Sequence, residues 1–335
     1  MFVLGLLFFV LLPTLVILEI VRCTYLELRR DRIPILLYHR LISHQAAREG
    51  RIPDNEPIYA SYDDVFAAQS QYLHEAGYTT LNFDDFLAIR AGRMPLPQRS
   101  VMLTLDDGYE SNYLFAFPAL KRHSQKATIF VAPEPDQYTR RIVEGIDGFL
   151  TPQQMRELDA NGVSIESHTL THCILSDLPD DQARFELDES RRRLSEILAR
   201  PVRHIAIPRA GYSRRIERLV RETGYQTACC NNKGSSTGLS NPLALPRIVI
   251  ERDMSLADFQ RLLRPRAALM LRLIGNFKRV PERLFGPHGA DAIRKWLLRS
   301  PLGPLLVTRR LKRALAVVAI LYLAAGVVFF RFVLT

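Results

Sequence analysis

SVMLTLDDGY, residues 100–109, runs from a near-continuous apolar stretch into two carboxylates and a glycine. A short apolar run without polar alternation suits a strand buried on both faces, the pattern of parallel sheets. PILLYH (34–39), ATIFVAP (127–133), GVSIESH (162–168), HIAIP (204–208), YQTACC (225–230) and LPRIVI (245–250) read the same way. Amphipathic stretches lie between them. Tyr62–Ala76 stops at Gly77, Tyr113–His123 is short, and residues 151–162 open on Thr151-Pro152 and close on Asn161-Gly162. Asp180–Ala199 is long and charged, and Ser213–Glu222 ends before Gly224. A capping threonine, a first-turn proline and a terminal glycine are helix punctuation. Strand, helix, strand repeated this often predicts an α/β protein whose parallel sheet is joined by crossovers. About seven such units on roughly 230 residues fit a closed or nearly closed barrel better than two small domains.

Three strand ends carry polar residues that a buried strand would not choose. Asp106-Asp107-Gly108 follows VMLTL. The chain bends there, so both carboxylates can reach one mouth, and Gly108 allows the turn and a close approach. His168-Thr-Leu-Thr-His172 follows GVSIES, and two imidazoles four residues apart can clamp one cation. Tyr38-His39 ends PILLYH. All three lie at the C-terminal ends of parallel strands, where active sites of such barrels assemble. One carboxylate and two histidines make a metal site with open positions, leaving a second carboxylate and a third histidine as base and acid.

This constellation resembles the polysaccharide deacetylase family, the NodB-like carbohydrate esterases, from about Ile35 to Leu263. TLDDGY is similar to the family motif T-F-D-D-G, and SHTLTH to H-[ST]-x-x-H. The resemblance implies a distorted (β/α)7 barrel and metal-dependent removal of acyl groups from amino sugars. By it, Asp106 is the general base, and Asp107, His168 and His172 hold the metal. PILLYHRL resembles the circularly permuted branch, which makes His39 the general acid. HIAIPRAGYS departs from the family's R-x-x-x-P-[YF]-G. It keeps Pro208 and Gly211 with an extra residue between them, and leaves Arg209 and Arg203 as alternatives for the arginine that orients the base. IVIERD lacks the family's L-x-H histidine, while LPRIVI around Arg247 resembles the permuted branch's last strand. Arg209, Tyr109, Pro208 and Arg247 are the expected substrate-binding or base-orienting residues. A divalent ion is the implied cofactor, zinc first, with cobalt, nickel or iron behind it.

Composition narrows the class further. Hydrophobic residues at 47% exclude global disorder. Four cysteines without a CxxC pair exclude a disulfide scaffold and a thiolate zinc finger. The net charge of +10 is concentrated in one segment. Residues 261–313 hold 14 Lys or Arg against Glu282 and Asp291, or +12, leaving −2 for everything else. Basic residues interleaved with Leu, Ile, Phe and Trp suit an anionic lipid surface, and no nucleic-acid partner is expected.

Residues 1–22 have no charge before Glu19, and Ala314–Phe330 is an apolar run. The expected organisation is a transmembrane helix at 1–22 and a deacetylase-like barrel at 31–263. A basic membrane-surface segment at 264–313 and a second transmembrane helix at 314–334 follow. Basic clusters facing inward from both ends put the barrel on the cytoplasmic side of the inner membrane. The expected function is hydrolysis of an N-acetyl or N-formyl group on an amino sugar, in a polysaccharide or a lipid-linked saccharide. The alternative is a non-catalytic glycan or glycolipid binder on the same scaffold.

Overall fold

The computed structural model describes residues 12–29, 31–50, 60–144, 146–209, 211–230 and 233–278. Two compact units are distinguished, residues 27–271 and a second formed by residues 1–26 with 272–335. In chain order the elements begin with α1 (Leu12–Leu28), β1 (Ile35–Tyr38), β2 (Leu41–Ile42), α2 (His44–Arg48), β3 (Ser61–Tyr62) and α3 (Asp63–Glu75). Next come β4 (Thr79–Leu81), α4 (Phe83–Arg90), β5 (Ser100–Leu105), a π-helical turn (Asn112–Ala116), α5 (Phe117–Arg122) and β6 (Ala127–Val131). Then follow α6 (Gln137–Val143), α7 (Pro152–Ala160), β7 (Val163–Ser167), α8 (Asp180–Leu198), β8 (His204–Ala206) and α9 (Arg214–Glu222). The last are β9 (Thr227–Cys230), β10 (Leu245–Pro246), β11 (Ile248–Val249), α10 (Leu256–Leu262) and α11 (Pro265–Lys278).

The main sheet has nine strands in the order β10-β9-β8-β7-β6-β5-β1-β11, with β4 also on β5. Every pairing between its strands is parallel. The two ends of that order, β10 and β11, are separated in the chain by Arg247 alone. Leu245 and Pro246 pair with Cys229 and Cys230, while Ile248 and Val249 pair with Leu36 and Leu37. The expected seventh strand, LPRIVI, therefore changes partner at Arg247 and links the last strand to the first. With it counted once, β1, β5, β6, β7, β8 and β9 complete a seven-membered, nearly closed parallel barrel. Ile129, Ile165 and Ile205, on three successive strands, are fully buried, as strands covered on both faces require.

Helix punctuation works as the residues dictate. Thr151 accepts the Gln154 N–H while the Gln154 side chain returns to Thr151 N–H, and Pro152 fills the first turn. Two elements escape the hydrophobic pattern. β4 is only three residues long, and α4 declares itself by a capping box between Asn82 and Asp85. The stretch expected as one helix over 113–123 starts instead as the π-helical turn.

Among the described residues no helix is long and apolar enough to cross a membrane. The expected span at 1–22 is described only from Leu12. There α1 is a 17-residue helix containing Glu19, Arg22 and Glu27. The expected span at 314–334, and residues 279–313 of the basic segment, lie outside the described residues.

Candidate active site

β5 delivers the two carboxylates at the C-terminal rim. Asp107 and Gly108 both take left-handed backbone, with φ of 75° and 70°. A Cβ on Gly108 would sit 2.9 Å from Val131 Cγ2, so both the turn and the packing demand glycine there. The Asp106 N–H donates to the Tyr38 carbonyl at 3.0 Å, which puts His39 level with Asp106 on the neighbouring strand end. The π-helical turn completes this corner. The wide turn carries Asn112, fully buried, whose Nδ2 donates to the His39 carbonyl at 2.8 Å.

The loop after β7 brings in the histidines. His168 Nδ1 lies 2.8 Å from the Ala206 carbonyl on β8. A carbonyl only accepts, so that nitrogen carries the hydrogen and Nε2 presents its lone pair inward. His172 Nδ1 is 3.3 Å from the hydroxyl of Thr139, a buried residue of α6. The Nε2 atoms of His168 and His172 converge on one oxygen, Asp107 Oδ1, at 3.4 and 3.2 Å. That oxygen is buried and takes no hydrogen bond. Three ligand atoms from these residues lie within 4.8 Å of one another. An orphaned carboxylate oxygen facing two imidazole Nε2 atoms fits a divalent cation, and the Nδ1 contacts of the two rings are of the kind that orient metal-binding histidines.

Asp106 has a different partner. Arg247 Nη1 and Nη2 donate to its two oxygens at 2.6 and 2.7 Å, a two-pronged grip inside the barrel. Arg247 is 3% exposed and its guanidinium stands 5.7 Å from the Phe130 ring centroid. Arg247, rather than Arg209 or Arg203, is the arginine that bonds Asp106. Arg203 precedes β8 and faces Asp84 at the opposite end of the strand, at 4.0 Å. Arg209 is exposed with φ 53°. Pro208 is buried, its carbonyl accepting the Gly211 N–H at 3.2 Å. Tyr109, 1% exposed, stacks its ring on Phe149 with centroids 5.7 Å apart.

Two buried carboxylates against one guanidinium leave one negative charge to be balanced. Burial by itself would raise the Asp106 carboxyl, but Arg247 and His168 outweigh it and hold the group below the ordinary aspartate range. Asp107 is depressed as well, the facing histidines overcoming the effect of burial. Burial lowers His39 despite both carboxylates. It lowers His172 to about 4, the dominant effect there, against the pull of Asp107. His168 goes the other way. Burial opposes its charged form, but Asp106 and Asp107 draw positive charge on to it. Asp106 is thus held ionised, and the space beside it favours a cation.

Comparison with known proteins agrees with this geometry. The family model Polysaccharide deacetylase matches residues 93–228. The Bacillus subtilis (strain 168) protein YxkH, whose name assigns it to the polysaccharide deacetylases, is 29% identical over 228 residues, 68% of this chain and 75% of its own length. The poly-β-1,6-N-acetyl-D-glucosamine N-deacetylase of Escherichia coli (strain K12) is 33% identical over 109 residues, 30% of this chain but 16% of that enzyme. Among solved structures, the Streptococcus pyogenes deacetylase PplD in complex with acetate superposes with a TM-score of 0.61 at 26% identity, covering 70% of this chain and 99% of that one. The chain is a hydrolase acting on carbon–nitrogen bonds other than peptide bonds. Residues 93–228 carry a NodB-like polysaccharide deacetylase domain. The family match begins after His39 and ends before Arg247, so neither lies within the matched residues.

Proposed function

We propose that this protein is a metal-dependent N-deacylase of an amino sugar, with Asp107, His168 and His172 holding a divalent ion, zinc first. The observation that carries this reading is the convergence of both imidazole Nε2 atoms on a buried, otherwise unbonded Asp107 oxygen, next to an Asp106 gripped by Arg247. A divalent cation there supplies Lewis acidity, polarising the amide carbonyl and making water more acidic. Asp106 accepts the proton of the attacking water on a carboxylate oxygen, and Arg247 keeps that carboxylate ionised and aimed. His39, made a stronger acid by burial, takes up a proton from solvent and in that protonated form passes it to the leaving amine as the carbon–nitrogen bond breaks, returning to the neutral ring. Arg247 immediately precedes β11, and His39 immediately follows β1, the strand with which β11 pairs. The L-x-H histidine is replaced in this scheme by His39.

The first substrate class to assay is an N-acetylated glucosamine polymer, the kind named for the Escherichia coli relative, followed by a lipid-linked amino sugar. A membrane location is part of the proposal. The described part of α1 exposes Leu15, Leu18, Val21 and Tyr25, and the basic segment suits anionic lipid. The barrel is proposed to face the cytoplasm.

The test pairs metal content with amine release from an acetylated amino-sugar oligomer. Asp106→Asn keeps its metal and loses turnover; His168→Ala loses both. Near wild-type turnover in Asp106→Asn refutes the base assignment. Bound metal with no amine released from any acetylated or formylated sugar favours the binding-protein alternative.

A further inference from the structure

We propose that Glu186 is a positioning residue of the metal centre, its buried carboxylate holding the 168–172 loop in the shape that brings His168 and His172 to Asp107. The proposal rests on the metal-dependent reading above. The loop has an uncommon backbone. Thr169 and His172 both lie in the left-handed region, with φ of 65° and 66°, although neither is glycine and threonine is branched at Cβ. Such residues persist only where their surroundings over-determine them, and they gather at functional sites. What over-determines them here is visible in the hydrogen bonds. Glu186 Oε2 accepts the N–H groups of Leu170 and Thr171 at 3.0 and 2.9 Å, and Oε1 accepts the Thr171 hydroxyl at 2.8 Å. The carbonyls of the same two residues accept the N–H groups of Glu134 and Asp136, at 2.9 and 3.1 Å. The His172 N–H closes on Thr169 Oγ1 at 3.1 Å. The two residues midway between the ligands are therefore tied on both sides, and the carboxylate supplies the whole acceptor side of their N–H groups.

Glu186 is also unusual on its own helix. It is 8% exposed on α8, and no basic side chain among the described residues is paired with it. Glu189, one turn on, instead pairs with Arg192 and Arg193. A buried carboxylate without a basic partner is costly, and its three donors all belong to the ligand loop. That makes the loop its purpose. A neutral amide could not reproduce the contact, since its NH2 end cannot accept, and one or more loop N–H groups would be left unsatisfied. His168 is anchored independently through Val131 and Ala206, so His172 is the ligand that moves.

The test uses the whole protein, stripped of metal, with Co2+ as probe and a competing chelator to set the scale. Glu186→Gln weakens Co2+ about 10–100-fold, the usual cost of losing a group that orients metal ligands. It also changes the ligand-field absorption bands, because one imidazole is displaced. Glu189→Gln leaves both affinity and spectrum as in the wild type. Thr171→Val, which removes only the hydroxyl donor, shifts both in the same direction by less. Wild-type affinity and spectrum in Glu186→Gln overturn the proposal. If that variant does not fold, an unchanged Thr171→Val overturns it instead. Wild-type protein that takes up no Co2+ at all refutes the metal-dependent reading itself, a result distinct from failure of the positioning role.

Discussion

The grip of Arg247 on Asp106 yields a prediction in which stability and activity part company. Both side chains are buried, 3% exposed each, and joined by bonds of 2.6 and 2.7 Å. Removing one partner of such a pair leaves an uncompensated buried charge, at about 3–5 kcal/mol. Arg247→Gln is the severe case, since it leaves Asp106 and Asp107 together with no guanidinium between them and the strand β11. For a domain of roughly 150–250 residues each kcal/mol moves the melting temperature by about 2–4 °C, so the expected fall is about 6–20 °C. Adding Asp106→Asn to that variant removes the stranded carboxylate. We expect it to restore about 0.5–3 kcal/mol, the range found for coupled neighbours. It restores no turnover, because the proton acceptor is now gone as well.

The assay is guanidinium denaturation of metal-free protein, followed by amine release on metal-loaded samples. Chelation matters, because a bound ion would stabilise the four proteins unequally. If Asp106→Asn destabilises the Arg247→Gln background as much as it destabilises the wild type, the two side chains are energetically independent. The orienting role of Arg247 then fails.

Other consequences follow from single positions. His39→Ala should lower kcat by about 10²–10⁴-fold while Co2+ affinity stays within error, which kinetic and metal titrations on one preparation will check. Gly108→Ala sets a Cβ 2.9 Å from Val131 Cγ2 on a left-handed backbone, and should cost about 2–4 kcal/mol in denaturant. Adding Val131→Ala should recover the packing part of that loss and not the backbone part. Ala199, which ends α8 with φ 53°, should tolerate glycine with a gain of about 1 kcal/mol and no change in turnover, measured by thermal melting and amine release. A phosphatase reporter fused after residue 260 should be inactive if the barrel lies in the cytoplasm, and active reporter would put the barrel on the other side.

The parts legible in the sequence are those in which chemistry and backbone signal coincide within a few residues. Asp106-Asp107-Gly108 and His168–His172 each end an apolar run, so their rim position and shared mouth follow from strand geometry. β4 is not legible, since three residues carry no period, and neither is the π-helical start at Asn112, whose side chain bonds the His39 carbonyl across the fold. The orienting arginine shows the deeper limit. Sequence proximity to Pro208 favoured Arg209 and Arg203, and left Arg247 as one candidate among four. What selects Arg247 is a change of strand partner at one residue. Leu245 and Pro246 face β9 while Ile248 and Val249 face β1, so the side chain between them stands at the seam where the barrel closes.

That seam has a consequence for how the site forms. Asp106 sits on β5, next to β1, and its arginine arrives from the last strand, 141 residues later. His39 comes from the first strand, on the other side of the same junction. The proposed proton acceptor, the arginine that bonds it and the proposed proton donor therefore meet only when the first and last strands pair. The proposed metal ligands, supplied by the end of β5 and the loop after β7, need no such closure. A barrel opened at the seam, for instance by Ile248→Pro, should keep the Asp107, His168 and His172 cluster able to bind Co2+ while losing amine release. Equal loss of both would mean that the barrel folds as a single unit and that closure is no separate step in assembling the site.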